Sequence, residues 1–501
     1  MSEQIMWLGA TSEPSLVQTV DHVALLPAYL AAGTAVLVLL VDLLLARPVA
    51  TVATAATGAV ATTLGAAAVG SGAERRTFCV GADCSYVFGG RAALVAALVA
   101  LLVLGVLALS GPMLRAGNTP VGEFCFLLTC SMTGGVVLAA AGDLITLIVA
   151  VEVLTLPLYV LVGLRRGSLA SAEAAVTFFV VSVVATTLTL LGAALLYAAT
   201  GGLHLERLGA LLADEALPDL PLTTVAVTLV VAGLAFKVAA VPFHAWAPAT
   251  YDGAPLPVAA YLSTASKLGG VIALLAVVRE ALPPEVTGPV LAVVAALTMT
   301  VGNLVALRQR RTVRLLAWSS VAQAGYILAP LGALALVTEA DARTAGYAAA
   351  LAYAVFFVLL ELAAFAGVVA LRPAGADGGH LDELRGAARR HPWVGAGLAF
   401  ALIGLAGLPP GLAGLFAKVT VVRSLVDGGA GWLALVVAIN AVIGLAYYLR
   451  FAALLYAPAG GVAAGPAVRP ARAVVVALTV ATVVALAVGF APQVVLDLAG
   501  S

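Results

Sequence analysis

Lysine is almost missing from this sequence: Lys237, Lys267 and Lys418 are its only three among 25 basic residues in 501. Charge of either sign is scarce, at 10% of positions, and 25 acidic residues cancel the basic ones. That balance offers nothing to a nucleic acid or another polyanion. Cysteine is nearly lacking too: four residues, none at the spacing of a zinc or iron–sulfur site. No Gly-rich nucleotide fingerprint follows a strand, and no convincing strand is legible, so redox cofactors are not expected on this polypeptide. The N-terminal stretch MSEQIMWLGATSEPSLVQTVD has no Lys or Arg, so it lacks the basic start of a cleaved signal peptide, and the first helix is expected to be retained. There is no long polar segment and hence no sizeable soluble domain; the longest inside the apolar region is Leu371 to Pro392, which reads as a connector with a short amphipathic helix.

What is present is apolar: 63% of residues are hydrophobic and the mean hydropathy is +1.12, outside the range of soluble domains. Crossing the hydrocarbon core takes about 20 apolar residues as helix. Fourteen runs qualify, near 23–46, 49–71, 91–111, 119–141, 143–164, 171–199, 221–249, 256–278, 287–307, 313–337, 344–371, 394–422, 430–456 and 471–495. They are continuous and do not alternate, which reads as helices and not as a barrel. The expected fold is therefore an all-α polytopic membrane protein. An even number of crossings leaves both termini on one side. With the termini outside, the inner loops hold fifteen arginines and the outer loops seven, which the positive-inside rule favours. Cys79 and Cys84 then lie on the outer face, where a short-loop disulfide and two free thiols are both open readings. Cys125 and Cys130, in an apolar helix, read as packing residues.

A charge in the middle of a membrane helix costs about 2.5 to 3.5 kcal/mol on insertion scales, so each needs a reason. Glu152, Lys237, Lys267, Glu361 and Lys418 are central; Asp42 and Glu123 lie nearer helix ends, where an interface role is the plainer reading. A general preference for arginine accounts for the loops, but not for the three lysines. Arginine stays protonated, whereas a buried lysine can give up its proton, so lysine stands where a titratable cation is useful. Pro242 follows Lys237 by five residues, and Pro409 and Pro410 precede Lys418 by nine and eight. Proline breaks the helical ladder, which a membrane tolerates where the freed groups line a cavity. Two charged, broken helices divide the chain into residues 1–118, an N-terminal unit of three spans; 119–280, spans 4 to 8; 281–456, spans 9 to 13; and 457–501, the last span. Five spans per repeat invert the second copy, an architecture of transporters.

The run FKVAAVPFHAWAPATYDGAPLPVAAYLSTASKLGG, Phe236 to Gly270, resembles the signature of the antiporter-like subunits of respiratory complex I, and YDGAP with LSTASK is closest to the subunit N family among them. VEVLTLPLYVLVG around Glu152, GNLVALRQRRTVRLLAWSSVAQAGY from Gly302, LAGLPPGLAGLFAK ending at Lys418 and NAVIGLAYYLR from Asn440 extend the resemblance from about span 4 to span 13. The resemblance implies a proton-translocating subunit of a bacterial plasma-membrane NADH-quinone oxidoreductase, a translocase that works beside other membrane-arm subunits. FMN, iron–sulfur clusters and quinone would then sit on partner subunits. It also implies a proton relay in which Glu152 faces and pairs with Lys237, Lys267 connects the halves and Lys418 serves the second half-channel. His244 would be either a further relay group or a structural hydrogen-bond partner. Three departures stand out: Thr177 and Gln323 occupy positions where the family usually has a lysine and a histidine, and Ala249 one where it has an aspartate. Glu361 would either replace a lost group or be a buried acid bonded to Ser or Thr. A cation/proton antiporter related to the Mrp proteins and a non-pumping scaffold are the competing readings.

Overall fold

The computed structural model describes residues 19–165, 167–213, 221–337, 339–458 and 469–500; the N-terminal stretch up to residue 18 and Arg166 lie outside them. Apolar runs become helices wherever the backbone must satisfy its own hydrogen bonds in lipid. Spans 1 to 6 are Leu26–Leu45, Pro48–Gly70, Gly90–Arg115, Val121–Leu138, Leu144–Val162 and Leu169–Thr200. Local chemistry sets their ends. Asp143 caps span 5 by accepting from the Thr146 backbone N–H at 2.7 Å, and Ser168 caps span 6 through the Ser171 N–H. Spans 8 to 11 cover Leu256–Glu280, Pro284–Leu307, Thr312–Gly332 and Ala340–Leu371, and spans 13 and 14 are Gly431–Tyr456 and Arg472–Phe490.

Spans 7 and 12 are each two helices. Span 7 runs as Pro221–Val238 and resumes as Trp246–Gly253; span 12 runs as Pro392–Ala406 and resumes as Leu412–Asp427. The two pieces of span 12 have 15 and 16 residues, and neither alone is long enough to cross. The continuous runs read at 221–249 and 394–422 are thus broken and extend farther. Thirteen helices among the described residues are long and apolar enough to span a membrane, and broken span 12 makes the fourteenth crossing.

Loops gather in two sets at opposite ends of the bundle. At one end Arg91 reaches Glu280 at 3.9 Å, Arg343 reaches Glu285 at 3.5 Å and Arg76 reaches Glu206 at 3.5 Å. At the other, Arg311 meets Asp252 at 2.7 Å and Arg450 donates to the Leu307 carbonyl at 2.8 Å. Spans 8, 10 and 11 are almost wholly buried, whereas spans 1, 2, 6 and 14 bury a third of their residues or less. The three lysines therefore sit in the protein-lined interior, and spans 1, 2, 6 and 14 form its outer layer.

One expectation, that the chain holds no strand, is corrected. In the loop after span 2, Arg75–Val80 and Asp83–Phe88 pair as an antiparallel hairpin, with Cys79 opposite Cys84 and the two joined as a disulfide. Strands of six residues are hard to see in so apolar a chain. The hairpin is anchored on the turn between spans 4 and 5, where the Val87 N–H donates to Ala140 and Gly142 donates to Ser85. The connector after span 11 holds a 3-10 turn, Leu381–Leu384, and one helical turn, Ala387–Arg390, so the helix expected there is indeed short.

That connector is held by charge. Arg311 bridges Asp252 and Asp377, Arg314 also reaches Asp252 at 3.1 Å, and Arg372 binds Glu383 at 2.6 Å and Asp377 at 3.4 Å. Burial acts to raise the Asp377 carboxyl, but the Arg311 hydrogen bond and the charges of Arg311 and Arg372 outweigh it and hold it below the usual value. Glu383 is lowered likewise: burial opposes, and the His380 backbone N–H and Arg372 prevail. Both carboxylates favour the folded connector above their unfolded pKa values, roughly 4, and that contribution is lost as pH falls below this through the depressed folded values. Hydrogen exchange over residues 372–391, corrected for intrinsic rate, is expected to stay flat from pH 8 to about 5 and to rise below about 4.

Candidate proton-transfer site

The site begins at the break in span 7. After Val238 the chain leaves the helix with Ala239 at φ 61°, and the Val241–Pro242 peptide is cis. The freed groups find partners: the Val241 N–H donates to Thr298 Oγ1 at 2.9 Å, and Trp246 Nε1 donates to the Phe236 carbonyl at 3.1 Å. The last full turn before the break carries Lys237, whose side chain is only 6% exposed. Its ammonium donates to Glu152 at 2.7 Å, to Ser182 at 2.9 Å and to Thr155 at 3.3 Å. Glu152 also accepts from Thr186 at 2.5 Å, and Tyr159 donates to Ser182 at 2.6 Å. A buried cation needs a charged partner and further hydrogen bonds to repay its lost hydration, and spans 5 and 6 supply both. The glutamate was legible as a lone acid in an apolar run. The hydroxyls were missed, although Ser182 and Thr186, four apart, share a helical face.

From Lys237 the polar groups continue inward. A cavity of about 10 Å³, close to the room one water needs, touches Lys237, Thr155 and Ser266. Ser266 ends a π-helical turn, Leu262–Ser266, and Lys267 follows it. Such turns occur often at functional sites. Lys267 is buried, donates to the Ser320 carbonyl at 2.6 Å and stands 6.0 Å from the centre of the Phe357 ring. Among the described residues no carboxylate lies within ion-pair distance of it.

The second break is built differently. Span 12 pauses at Gly407, φ 86°, where a Cβ would meet the Lys418 side chain at 2.8 Å, and the Pro409–Pro410 peptide is cis. Lys418, in the helix that resumes, folds back and donates to the carbonyls of Ala406 at 2.6 Å and Leu405 at 3.1 Å. Those oxygens are the ones the break deprived of helical donors. Lys418 Nζ also lies 5.3 Å over the Tyr326 ring. Gln323 Nε2 shares the Leu405 carbonyl at 3.2 Å and reaches Tyr448 at 3.0 Å, and Tyr353 donates to Gln323 Oε1 at 2.5 Å. Asn303 joins Tyr326 to Asn440, and Tyr447 donates to Asn303 at 3.0 Å. Of these groups only Gln323 was singled out from the sequence; for the others, the adjacent Tyr447 and Tyr448 in a mostly apolar span were the available signal.

The remaining candidates fall apart from this row. His244 is half-buried beside Trp318, ring centres 5.2 Å apart, and among the described residues no hydrogen bond joins it to a lysine. Glu123 is exposed in the first turn of span 4. Asp42 accepts from Thr51 at 3.1 Å and fits against Gly122, a packing role between spans 1 and 4. Thr177 is half-exposed and Ala249 exposed. Glu361 is fully buried, and neither of its oxygens takes a hydrogen bond from the protein, so the reading of an acid bonded to Ser or Thr is corrected.

Comparison with known proteins places this geometry. A family model described as "NADH:quinone oxidoreductase/Mrp antiporter, TM" matches residues 141–444. NADH-quinone oxidoreductase subunit N of Salinispora tropica is 76% identical, across 97% of this chain and 99% of that protein. A chain of respiratory complex I from Thermus thermophilus superposes with a TM-score of 0.78 at 31% identity, covering 95% of this chain and 100% of that one. A chain of the Mrp complex from Dietzia sp. shares the fold, with a TM-score of 0.78 at 23% identity over 95% of this chain and 96% of that one.

Proposed function

Since the chain belongs to the subunit N family of NADH-quinone oxidoreductases, an antiporter-like, proton-pumping group of membrane-arm subunits, we propose that protons cross it along Glu152, Lys237, Lys267 and Lys418. Residues 119–280 and 281–456 form the two inverted half-channels, one around each broken span. Quinone reduction elsewhere in the complex drives the transfer, and FMN, iron–sulfur clusters and quinone belong to the partner subunits. The arginine-rich end that holds Asp252 and Arg311 faces the cytoplasm of a bacterial plasma membrane, and both ends of the described chain lie on the other side.

The observation that carries this reading is the Glu152–Lys237 pair, 2.7 Å apart at the break in span 7. While the carboxylate is near, it favours the protonated amine; when the pair opens, burial favours the neutral amine and the proton leaves. The cavity at Ser266 offers the step toward Lys267. Lys418, held by carbonyl oxygens and no carboxylate among the described residues, can release its proton toward the opposite face without breaking an ion pair.

The test uses inverted membrane vesicles from cells with and without this chain, acidified first by NADH and then by an imposed Na+ gradient. Loss of the NADH-driven signal alone supports the redox-coupled pump. Loss of the Na+-driven signal alone would make the chain an antiporter instead. Within the NADH-driven assay, Lys418→Ala is expected to lower the protons moved per NADH; an unchanged ratio would remove Lys418 from the route, and a scaffold would tolerate every lysine replacement.

A further inference from the structure

Between Lys267 and Lys418 the side chains that make hydrogen bonds are amides and hydroxyls. Gln323 ties Tyr353, Tyr448 and the Leu405 carbonyl together, but its amide has no proton to release near neutral pH. Of the acidic side chains among the described residues only Asp143 and Glu361 are buried, and Asp143 is occupied capping span 5. Glu361 sits in the middle of span 11, the span between the two halves' lysines, and is 0% exposed with both carboxyl oxygens unbonded by protein.

A carboxyl in that position serves no structural bond, and leaving one unpaired in an apolar interior is costly. Span 8 packs on span 11 and brings a cation to its face: Lys267 stands 6.0 Å from the centre of the Phe357 ring, and Phe357 lies four residues before Glu361, on the same side of the helix. Two turns before Glu361 on span 11, Tyr353 donates to Gln323. Tyr448 in turn contacts Gln323, which shares the Leu405 carbonyl with Lys418. Glu361 therefore lies between the lysine of the first half and the contact network of the second.

We propose that Glu361 is the proton-transfer group that joins the two half-channels, taking a proton from Lys267 and holding it in transit to Lys418. This rests on the lysine relay above. The two groups are beyond ion-pair distance here, so the step takes a bridging water or a swing of the Lys267 side chain away from the Ser320 carbonyl; an N–H bond of the ammonium then breaks and an O–H bond forms on the Glu361 carboxylate, and an ammonium and a carboxylate become an amine and a carboxylic acid. The charges cancel in place, and a neutral pair is cheaper to hold in a buried site than two separated ions. Gln323 is a strut that fixes Tyr353, Tyr448 and the broken carbonyl, not a carrier.

The experiment compares Glu361→Gln and Glu361→Asp in inverted vesicles holding the assembled complex, with the subunit's presence checked on a native gel. Removing a proton-transfer group slows its step by about 10²-fold or more, so Glu361→Gln is expected to lose NADH-driven pumping through this chain, while Glu361→Asp, which still titrates, keeps most of it. Wild-type pumping by Glu361→Gln overturns the proposal, and so does equal loss in both variants, because shape and not titration would then matter. Lys237→Ala and Lys418→Ala are measured beside them. If these lose pumping and Glu361→Gln does not, only this inference fails; if all pump normally, the relay itself fails.

Discussion

Replacing Lys237 by alanine is expected to abolish proton pumping through this chain, and replacing it by arginine to do nearly the same. The two changes act through different physics. Alanine removes the proton carrier and strands Glu152, whose side chain is 20% exposed, with Thr186 as its remaining protein donor. Losing one partner of a buried pair costs more than the pair itself contributes, so some loss of stability should accompany the loss of function. Arginine keeps a cation opposite Glu152 and the hydroxyls of Ser182 and Thr155, yet it does not deprotonate in a protein. Its expected phenotype is an assembled complex with the transfer step slowed by at least about 10²-fold. Protons moved per NADH oxidised, measured for both variants against the amount of assembled complex, check this. An arginine variant that pumps normally would show that the charge at this position matters and its titration does not.

The second large effect is steric. At the break in span 12, the end of the first helix and the start of the second touch backbone to backbone. A Cβ on Gly414 would overlap the Gly404 carbonyl oxygen, and one on Gly411 would overlap the Gly404 Cα. Gly414→Val thus forces the helices apart with no flexible side chain to yield, an overpacking cost of about 3 kcal/mol. It also moves Lys418 away from the Leu405 and Ala406 carbonyls that hold it. The solubilised complex is expected to release or lose this subunit at a lower temperature, with weaker pumping in the intact membrane. Gly33→Val in span 1 is the matched control, because nothing lies within 4 Å of a Cβ there. Equal thermal behaviour of the two variants would contradict the close packing at the break.

Several features of the site were legible from residue order because each is an exception to a strong rule. In a chain with three lysines, every one of them in an apolar run was conspicuous, and so were Glu152 and Glu361; membrane insertion penalises such residues enough that none needs a neighbour to be noticed. Pro242, Pro409 and Pro410 marked both breaks, since proline's missing donor acts locally. Helix number followed from run length, because lipid leaves the backbone no other choice.

Other features depended on which surfaces meet. Composition and spacing do not distinguish Lys237, which has a carboxylate at 2.7 Å, from Lys418, which rests on two carbonyls of its own broken span; only the family resemblance pointed to the Glu152–Lys237 pair. Ser182 lies 55 positions from Lys237, and Gln323 is 125 from Tyr448. In so apolar a sequence, one helical face looks much like another. The hairpin at Arg75–Phe88 is not legible in the residue order because its strands are only six residues long and its register depends on the turn between spans 4 and 5. Sequence alone determined that this protein spans a membrane through helices, with titratable charges buried at two proline breaks, because hydropathy and proline act on the chain locally. Only tertiary structure decided how the Glu152–Lys237 pair is held, which lysine rests on carbonyls and which acid is left without a hydrogen bond, because those outcomes depend on contacts that form only when the helices pack.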